Sequence, residues 1–451
     1  MVALPVIPIN ADSGFDDPIV KTHRYAATVV AACLLLLLAF STATAFVQDA
    51  WASQAFQIGI FALLAGYLLA GLGRGWERIS GAPVSWLVYL IPVWGLIQIF
   101  AHTTSSSFET RKEVLRWGAL AGVFFLTQAV TRTRTARRNL LSAFLIFATA
   151  IAVLCLTELF TSGGRVLWMF PSGYTSVFAT FISSNGYSQF VELALPIALW
   201  RALREGWRAW WYMPAGGLLF ASVVGSASRA GTALCIVEIL AMLVIGLVRL
   251  RDPETGLPSR PMTAMLLLIP VLAAVFTLAV GWQRVWMRFQ QDAPYLTRQA
   301  FLQATEDMAK HRPLTGYGLG TFPEVYQRYA IIDPALYLYV NHAHNDWAEF
   351  AADGGVPFLL LVLIPFAVAV PVAIRNPWGL GLVAVMLHAC VDFPFFHSGV
   401  PCWIFALLGL LYSARIPDET DLRITRPDNS NSTSRLESAY AIRQESSHLQ
   451  N

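Results

Sequence analysis

Twelve apolar runs, joined mostly by short loops that carry arginine, decide what this 451-residue chain can become. They lie near Tyr25–Phe46, Trp51–Leu72, Val84–Phe100, Val114–Val130, Leu140–Phe160, Tyr187–Leu203, Trp210–Val224, Ala230–Val248, Met262–Val280, Val356–Ile374, Gly379–Phe393 and Val400–Ser413. The hydrocarbon layer of a membrane is roughly 30 Å thick, so a helix that crosses it needs about 20 mostly apolar residues. The backbone must also satisfy its own polar groups there. In a chain that is 56% hydrophobic and 13% charged, such runs predict an all-α, polytopic integral membrane protein of about 12 transmembrane helices. A long loop precedes the last three. The expected organisation is an N-terminal segment 1–24, a membrane domain 25–414 that includes loop 283–354, and a disordered polar tail 415–451.

Charge orients the chain. If the first run enters from the cytoplasm, the inner loops and the N-terminus hold fifteen Lys/Arg, among them Arg74, Arg78, Arg132, Arg134, Arg201, Arg249 and Arg375. The short outer loops hold five: Arg111, Lys112, Arg116, Arg165 and Arg229. Short cytoplasmic loops carry the excess of Lys and Arg, so both termini are expected in the cytoplasm and loop 283–354 on the outer, periplasmic side. The first run is too long for the core of a signal peptide. Although Ala43-Thr44-Ala45 resembles a small-residue cleavage site, the helix is read as retained. A net charge of +3 without a basic block gives no reason to expect nucleic acid. The five cysteines sit in or beside apolar runs with no CxxC spacing, as packing residues do.

Chemistry is expected in the polar stretch from Thr297 to Gly355, because a long loop amid apolar helices is usually functional. It holds Arg298, the turn Gly316-Tyr317-Gly318-Leu319-Gly320, and Asn341-His342-Ala343-His344-Asn345-Asp346. Helical spacing predicts a helix over Leu296–Met308, stopped by His311-Arg312-Pro313, and a second short one over Asn345–Ala352 that feeds the next span. Asn345 or Asp346 suits its N-terminus. The alternating glycines suit either a plain turn or close approach to a phosphate. His342, His344 and Asp346 have ligand chemistry, but no fourth ligand lies nearby, and no metal is expected. Arg229 falls between two runs at their outer edge, where a cation needs a counter-charge or water. Glu192 and Glu238 lie within apolar runs as candidate partners for such cations. His388 and Asp392, four apart, either pair with each other or line one cavity.

Taken together these segments resemble the O-antigen ligase and O-antigen polymerase family of bacterial envelope proteins, over roughly residues 180 to 400. His344-Asn345, nine residues and Gly355 match the ligase pattern His-[Asn/Ser/Gln]-x9-Gly-x-x-[Gly/Thr/Tyr], with Phe358 in the last position. Ser228-Arg229-Ala230-Gly231 is similar to the family's Ser-Arg-Gly segment, and Arg298 to its second arginine. Ser184-Asn185-Gly186-Tyr187 and the stretch from His388 to Pro394 are similar more loosely. The resemblance implies a metal-independent, cofactor-free glycosyltransferase of the inner membrane. It would move a glycan from undecaprenyl diphosphate to an acceptor hydroxyl, on lipid A-core for a ligase or on a lipid-linked glycan for a polymerase. Implied catalytic residues are His344, Arg298 and Arg229; implied substrate-binding residues are Asn345, Gly318, Asn185, His388 and Asp392. Two other classes compete. A transporter would show broken helices in two corresponding halves, and no internal repeat is visible; a scaffold has no need of arginines and a histidine gathered on one face.

Overall fold

The computed structural model describes residues 18–71, 83–172, 177–205, 210–250, 260–283, 286–287, 290, 293–330 and 340–415. The expected tail, apart from Arg415, lies outside them, as do residues 1–17 and 331–339 of the expected terminal segment and loop. The helices are α1 (Pro18–Ala43), α2 (Ala50–Gly71), α3 (Trp86–Phe100), α4 (Ser107–Val130), α5 (Arg134–Thr161), α6 (Ser184–Glu205) and α7 (Tyr212–Ser226). They continue as α8 (Arg229–Arg249), α9 (Arg260–Val280), α10 (Ala293–His311), α11 (Phe322–Tyr326), α12 (Asp346–Arg375), α13 (Leu380–His388) and α14 (Pro401–Ala414). A two-residue hairpin, β1 (Arg165–Val166) with β2 (Phe170–Pro171), follows α5.

The protein is an all-α membrane protein. Each of the twelve apolar runs falls on a helix, and among the described residues five helices are long and apolar enough to cross a membrane: α1, α2, α5, α8 and α12. Other apolar helices, such as α3, α7 and α14, are shorter. One expectation is corrected. The run Gly379–Phe393 is not a continuous span, because α13 ends at His388 after nine residues, about 14 Å of helix. Residues 389–400 then form turns before Pro401 opens α14.

At the centre lies α6, buried on almost every side from Gly186 to Leu203 and packed against α5, α7, α8, α9 and α13. A helix that is apolar all round belongs inside a bundle; its buried polar positions therefore need partners from neighbouring helices. At one end Arg201 supplies its own satisfaction: it donates to Ser142 Oγ, Tyr212 Oη at 2.9 Å and the Arg138 carbonyl at 2.8 Å.

Among the described residues between α9 and α12, α10 and the turn that follows it are folded together. Phe301, Ala304 and Met308 of α10 bury a common face against Tyr317, Phe322, Tyr326 and Ala352, forming a small second core. Gln98 of α3 fastens this unit to the bundle, donating to the carbonyls of Thr315 and Asp353 and accepting from Leu319 N–H at 3.1 Å. The predicted short helix is the first segment of α12, capped by Asn345, whose Oδ1 accepts from Ala348 N–H. It breaks at Gly355, where φ is 71° and ψ is 177°. Phe358, which departs from the family pattern, is buried in an aromatic cluster with Trp117, Phe350 and, through Trp117, Phe395 and Phe405. That position therefore does packing work here.

Candidate active site

The site grows from the N-terminal turns of α6 and α8. Ser228 caps α8, its Oγ accepting from Gly231 N–H at 3.2 Å. The same hydroxyl donates to Asn185 Oδ1 at 2.8 Å and lies 3.0 Å from Ser188 Oγ. Gly231 lies so close to α6 that a Cβ there would sit 2.3 Å from Ser188 Cβ. The Ser-Arg-x-Gly pattern thus has a physical content: serine caps, glycine admits the neighbouring helix, and Arg229 is left as the first residue of a helix N-terminus. Partial positive charge from unpaired N–H groups gathers there. Asn185, expected as a substrate residue, is part of this network.

One turn further along α6, Gln189 Nε2 donates to Asp392 Oδ2 at 3.1 Å. Asp392 is 1% exposed and sits in the 389–400 loop, outside the spanning helices. Its other oxygen, Oδ1, is 2.8 Å from His344 Nδ1, and His397 Nε2 approaches Oδ2 at 3.3 Å. Burial alone would raise its pKa, but the hydrogen bonds from His344 and His397 hold the Asp392 carboxyl well below the usual carboxylate range. Burial also keeps the His397 imidazole below the ordinary histidine value. An ionised carboxylate only accepts, so His344 presents Nδ1–H to Asp392, and its Nε2 is the nitrogen that can take a proton.

Several elements hold this pair. Arg298 on α10 donates to the Val391 carbonyl at 2.9 Å, and its Nη2 lies 3.9 Å from Asp392 Oδ1. Asn345 Nδ2 donates to the Cys390 carbonyl at 3.0 Å, and Asp346 N–H to that of Ala389 at 2.9 Å. Phe395 N–H bonds Asp346 Oδ2 at 3.0 Å, while Arg116 on α4 holds the Phe395 carbonyl at 2.7 Å. His344 stacks on Phe301 and meets Phe393 edge-on. Its φ of 53° is left-handed, a conformation that non-glycine residues keep only when their surroundings impose it.

Four of the expected substrate-binding residues have protein partners or neighbours in the structure. Asp392 is buried and partners His344. His388 is fully buried, with Nδ1 2.7 Å from Glu192 Oε1, so it lines no open site. Both ends of the Asn345 amide are engaged, one as the α12 cap and one on Cys390, which makes it a positioning residue. Gly318 sends its N–H to the Asp353 carbonyl at 2.8 Å, and a Cβ there would meet Thr104 Oγ1 at 2.0 Å. The glycine turn packs against protein. Of the two expected buried acids, Glu192 finds an imidazole, whereas both Glu238 oxygens lack a hydrogen-bond partner. The would-be ligands diverge: His342 Nδ1 goes to Glu349 at 2.9 Å, His344 to Asp392, and Asp346 to Phe395.

Gln189 and His397 were not singled out from the sequence. A signal for Gln189 existed, since Asn185, Ser188, Gln189 and Glu192 form a polar stripe at helical spacing in an otherwise apolar helix. For His397, which sits in a turn, there was none.

Fold and site together define a class: a helical membrane protein whose histidine, carboxylate and arginine groups are brought together where helices begin and end. Residues 214–363, which carry Arg229, Arg298 and His344, match the Wzy_C family model, O-antigen ligase. No curated protein and no solved structure matches the chain.

Proposed function

We propose that the centre transfers a glycan from an undecaprenyl-diphosphate donor to an acceptor hydroxyl at the outer face of the inner membrane, as an O-antigen ligase acting on lipid A-core. The observation that carries this reading is the His344–Asp392 pair, flanked by Arg298 and lying in a chain that matches the O-antigen ligase family. His344 Nε2 takes the proton of the acceptor hydroxyl as its oxygen attacks the anomeric carbon. Asp392 fixes the tautomer and stabilises the imidazolium that forms. The bond from the anomeric carbon to the diphosphate breaks, and charge grows on the leaving group. Arg298 and Arg229 hold that diphosphate, since guanidinium forks bind phosphate oxygens bidentately and stay charged. A polymerase that extends a lipid-linked glycan would use the same groups and differ in its acceptor.

The test is transfer by the purified protein from a lipid-linked donor, with and without EDTA. Undiminished transfer in EDTA is expected; activity abolished by chelation and restored by one divalent ion would make His342 and His344 ligands. Arg298→Lys and Arg229→Lys are each expected to fold and to lose most transfer, because lysine keeps the charge and loses the fork. In cells lacking the protein, full-length polymer left on undecaprenyl diphosphate indicates a ligase; single repeats on the core indicate a polymerase.

A further inference from the structure

A cleft of about 630 Å³ opens between the α1–α2 turn and the hairpin β1–β2. Its volume falls within the range of small-molecule sites. Its walls include Phe46, Gln48, Asp49, Trp51, Phe170 and Ser172. The Phe46 and Phe170 rings lie 5.0 Å apart, and Trp51 and Phe170 are about half exposed, at 54% and 44%. We propose that this cleft is the subsite for the saccharide portion of a lipid-anchored acceptor, an inference that rests on the glycosyl-transfer reading.

Three observations support it. First, the described residues lining the cleft include no lysine or arginine, and its one charged side chain is Asp49. A phosphate would be repelled there. Hydroxyls are suited to it, because a carboxylate accepts from two neighbouring hydroxyls and the Gln48 amide both donates and accepts. The cleft therefore differs in charge from the arginine side of the centre, which suits a diphosphate. Second, the exposed aromatic faces match the apolar C–H faces of sugar rings, while the carboxylate and amide beside them disfavour a bare acyl chain. Third, the position fits. The end of α1 is tied to the loop that carries Asp392 and His397: Thr42 Oγ1 donates to the Gly399 carbonyl at 3.3 Å and accepts from Trp403 Nε1 at 2.9 Å. Thr180 donates to the Thr42 carbonyl at 2.6 Å, and the wall residue Ile182 leads directly into the N-terminus of α6, which carries Asn185 and Gln189. Tryptophan is enriched at headgroup level, the height at which the sugars of an anchored lipid begin, and Trp51 stands exposed at a helix end.

The full-length protein in nanodiscs would be titrated with delipidated core oligosaccharide from rough lipopolysaccharide, and transfer to intact rough lipopolysaccharide measured in parallel. Trp51→Ala and Asp49→Asn are each expected to weaken oligosaccharide binding tenfold or more and to raise the acceptor KM by a similar factor. kcat and the donor KM should stay unchanged. Unchanged affinity and acceptor KM in both variants overturn the proposal, as does a wild-type protein that does not bind the oligosaccharide. Loss of co-purified phospholipid on Trp51→Ala with an unmoved acceptor KM makes the cleft a lipid contact and also overturns it. Oligosaccharide binding that depends on Trp51 and Asp49, without any transfer from the lipid-linked donor, upholds the cleft and sinks the glycosyl-transfer reading. Transfer with an unmoved acceptor KM does the reverse.

Discussion

His344 and His342 are two residues apart, and their surroundings assign them opposite work. His342 stacks with Phe393 and Phe396, each 4.5 Å away, and is tied to buried Glu349; His344, of similar exposure at 29% against 24%, has one nitrogen on Asp392. His344→Ala is expected to insert and fold normally and to lose roughly a hundredfold or more in kcat, the scale of a positioned acid–base group. His342→Ala should lower the melting temperature and leave turnover in the folded fraction near normal. The reverse pattern in purified protein would remove His344 from the chemistry. Asp392 and His397 add a pH signature. Because His397 is kept neutral by burial, the unfolded chain binds its proton first as pH falls, so stability rises with pH through the ordinary histidine range, near 6.5. Asp392, with its pKa depressed, contributes stability that is present above the ordinary carboxylate value and lost as pH falls through its lower folded value. The melting temperature should therefore drop below about pH 6.5, and His397→Gln should flatten that first limb; a flat wild-type curve between pH 7 and 5 would contradict the His397 assignment, whereas the Asp392 limb is read below the ordinary carboxylate value. At this scale His344, Arg298 and Arg229 stood out as candidates, because they stand in a polar stretch and on a pattern. Asp392 was visible as a residue, but its pairing with His344 was not, since its partner lies 48 positions away in the chain.

Between elements, the tightest constraint is the approach of α8 to α6 at Gly231. Gly231→Ala drives a methyl into Ser188 and is expected to cost about 1–3 kcal/mol as an overpacked contact. It should also disturb the Ser228 cap that presents Arg229. Ser188→Gly in the same chain makes room, so the double variant should regain melting temperature relative to Gly231→Ala. A double-mutant cycle measures that coupling, and strictly additive losses would show that the two positions do not meet in the folded protein. Helix existence was readable from apolar runs because each run has to bury or face lipid along its length. Their ends were less so. The run Gly379–Phe393 stays apolar past the point where α13 stops, and what ends the helix is tertiary: the carbonyls of Ala389, Cys390 and Val391 are taken by Asp346, Asn345 and Arg298. No local sequence rule encodes a helix end fixed by donors from two other segments.

The site exists only in the assembled molecule, because α4, α6, α8, α10, α12 and the 389–400 loop each contribute to it and their order in the chain gives no hint of their meeting. The whole-molecule question is which side of the membrane it faces. The lysine and arginine bias favours the outside, and the proposed reading requires it, because a polyprenyl diphosphate donor would present its glycan there and no nucleotide pool would be expected. Lys310, at the end of α10, has a side chain 68% exposed and belongs to the same folded unit as Arg298, so it reports the side without touching the chemistry. Among the native cysteines Cys390 is exposed, and it would be replaced by serine first. In that background Lys310→Cys is expected to react with a membrane-impermeant maleimide in intact cells, while a cysteine placed at Arg138, near the opposite end of the bundle beside buried Arg201, should react only after the inner membrane is permeabilised. If the two positions exchanged their behaviour, the centre would face the cytoplasm. The diphosphate-glycan reading would then fail, although the His344–Asp392 geometry would stand.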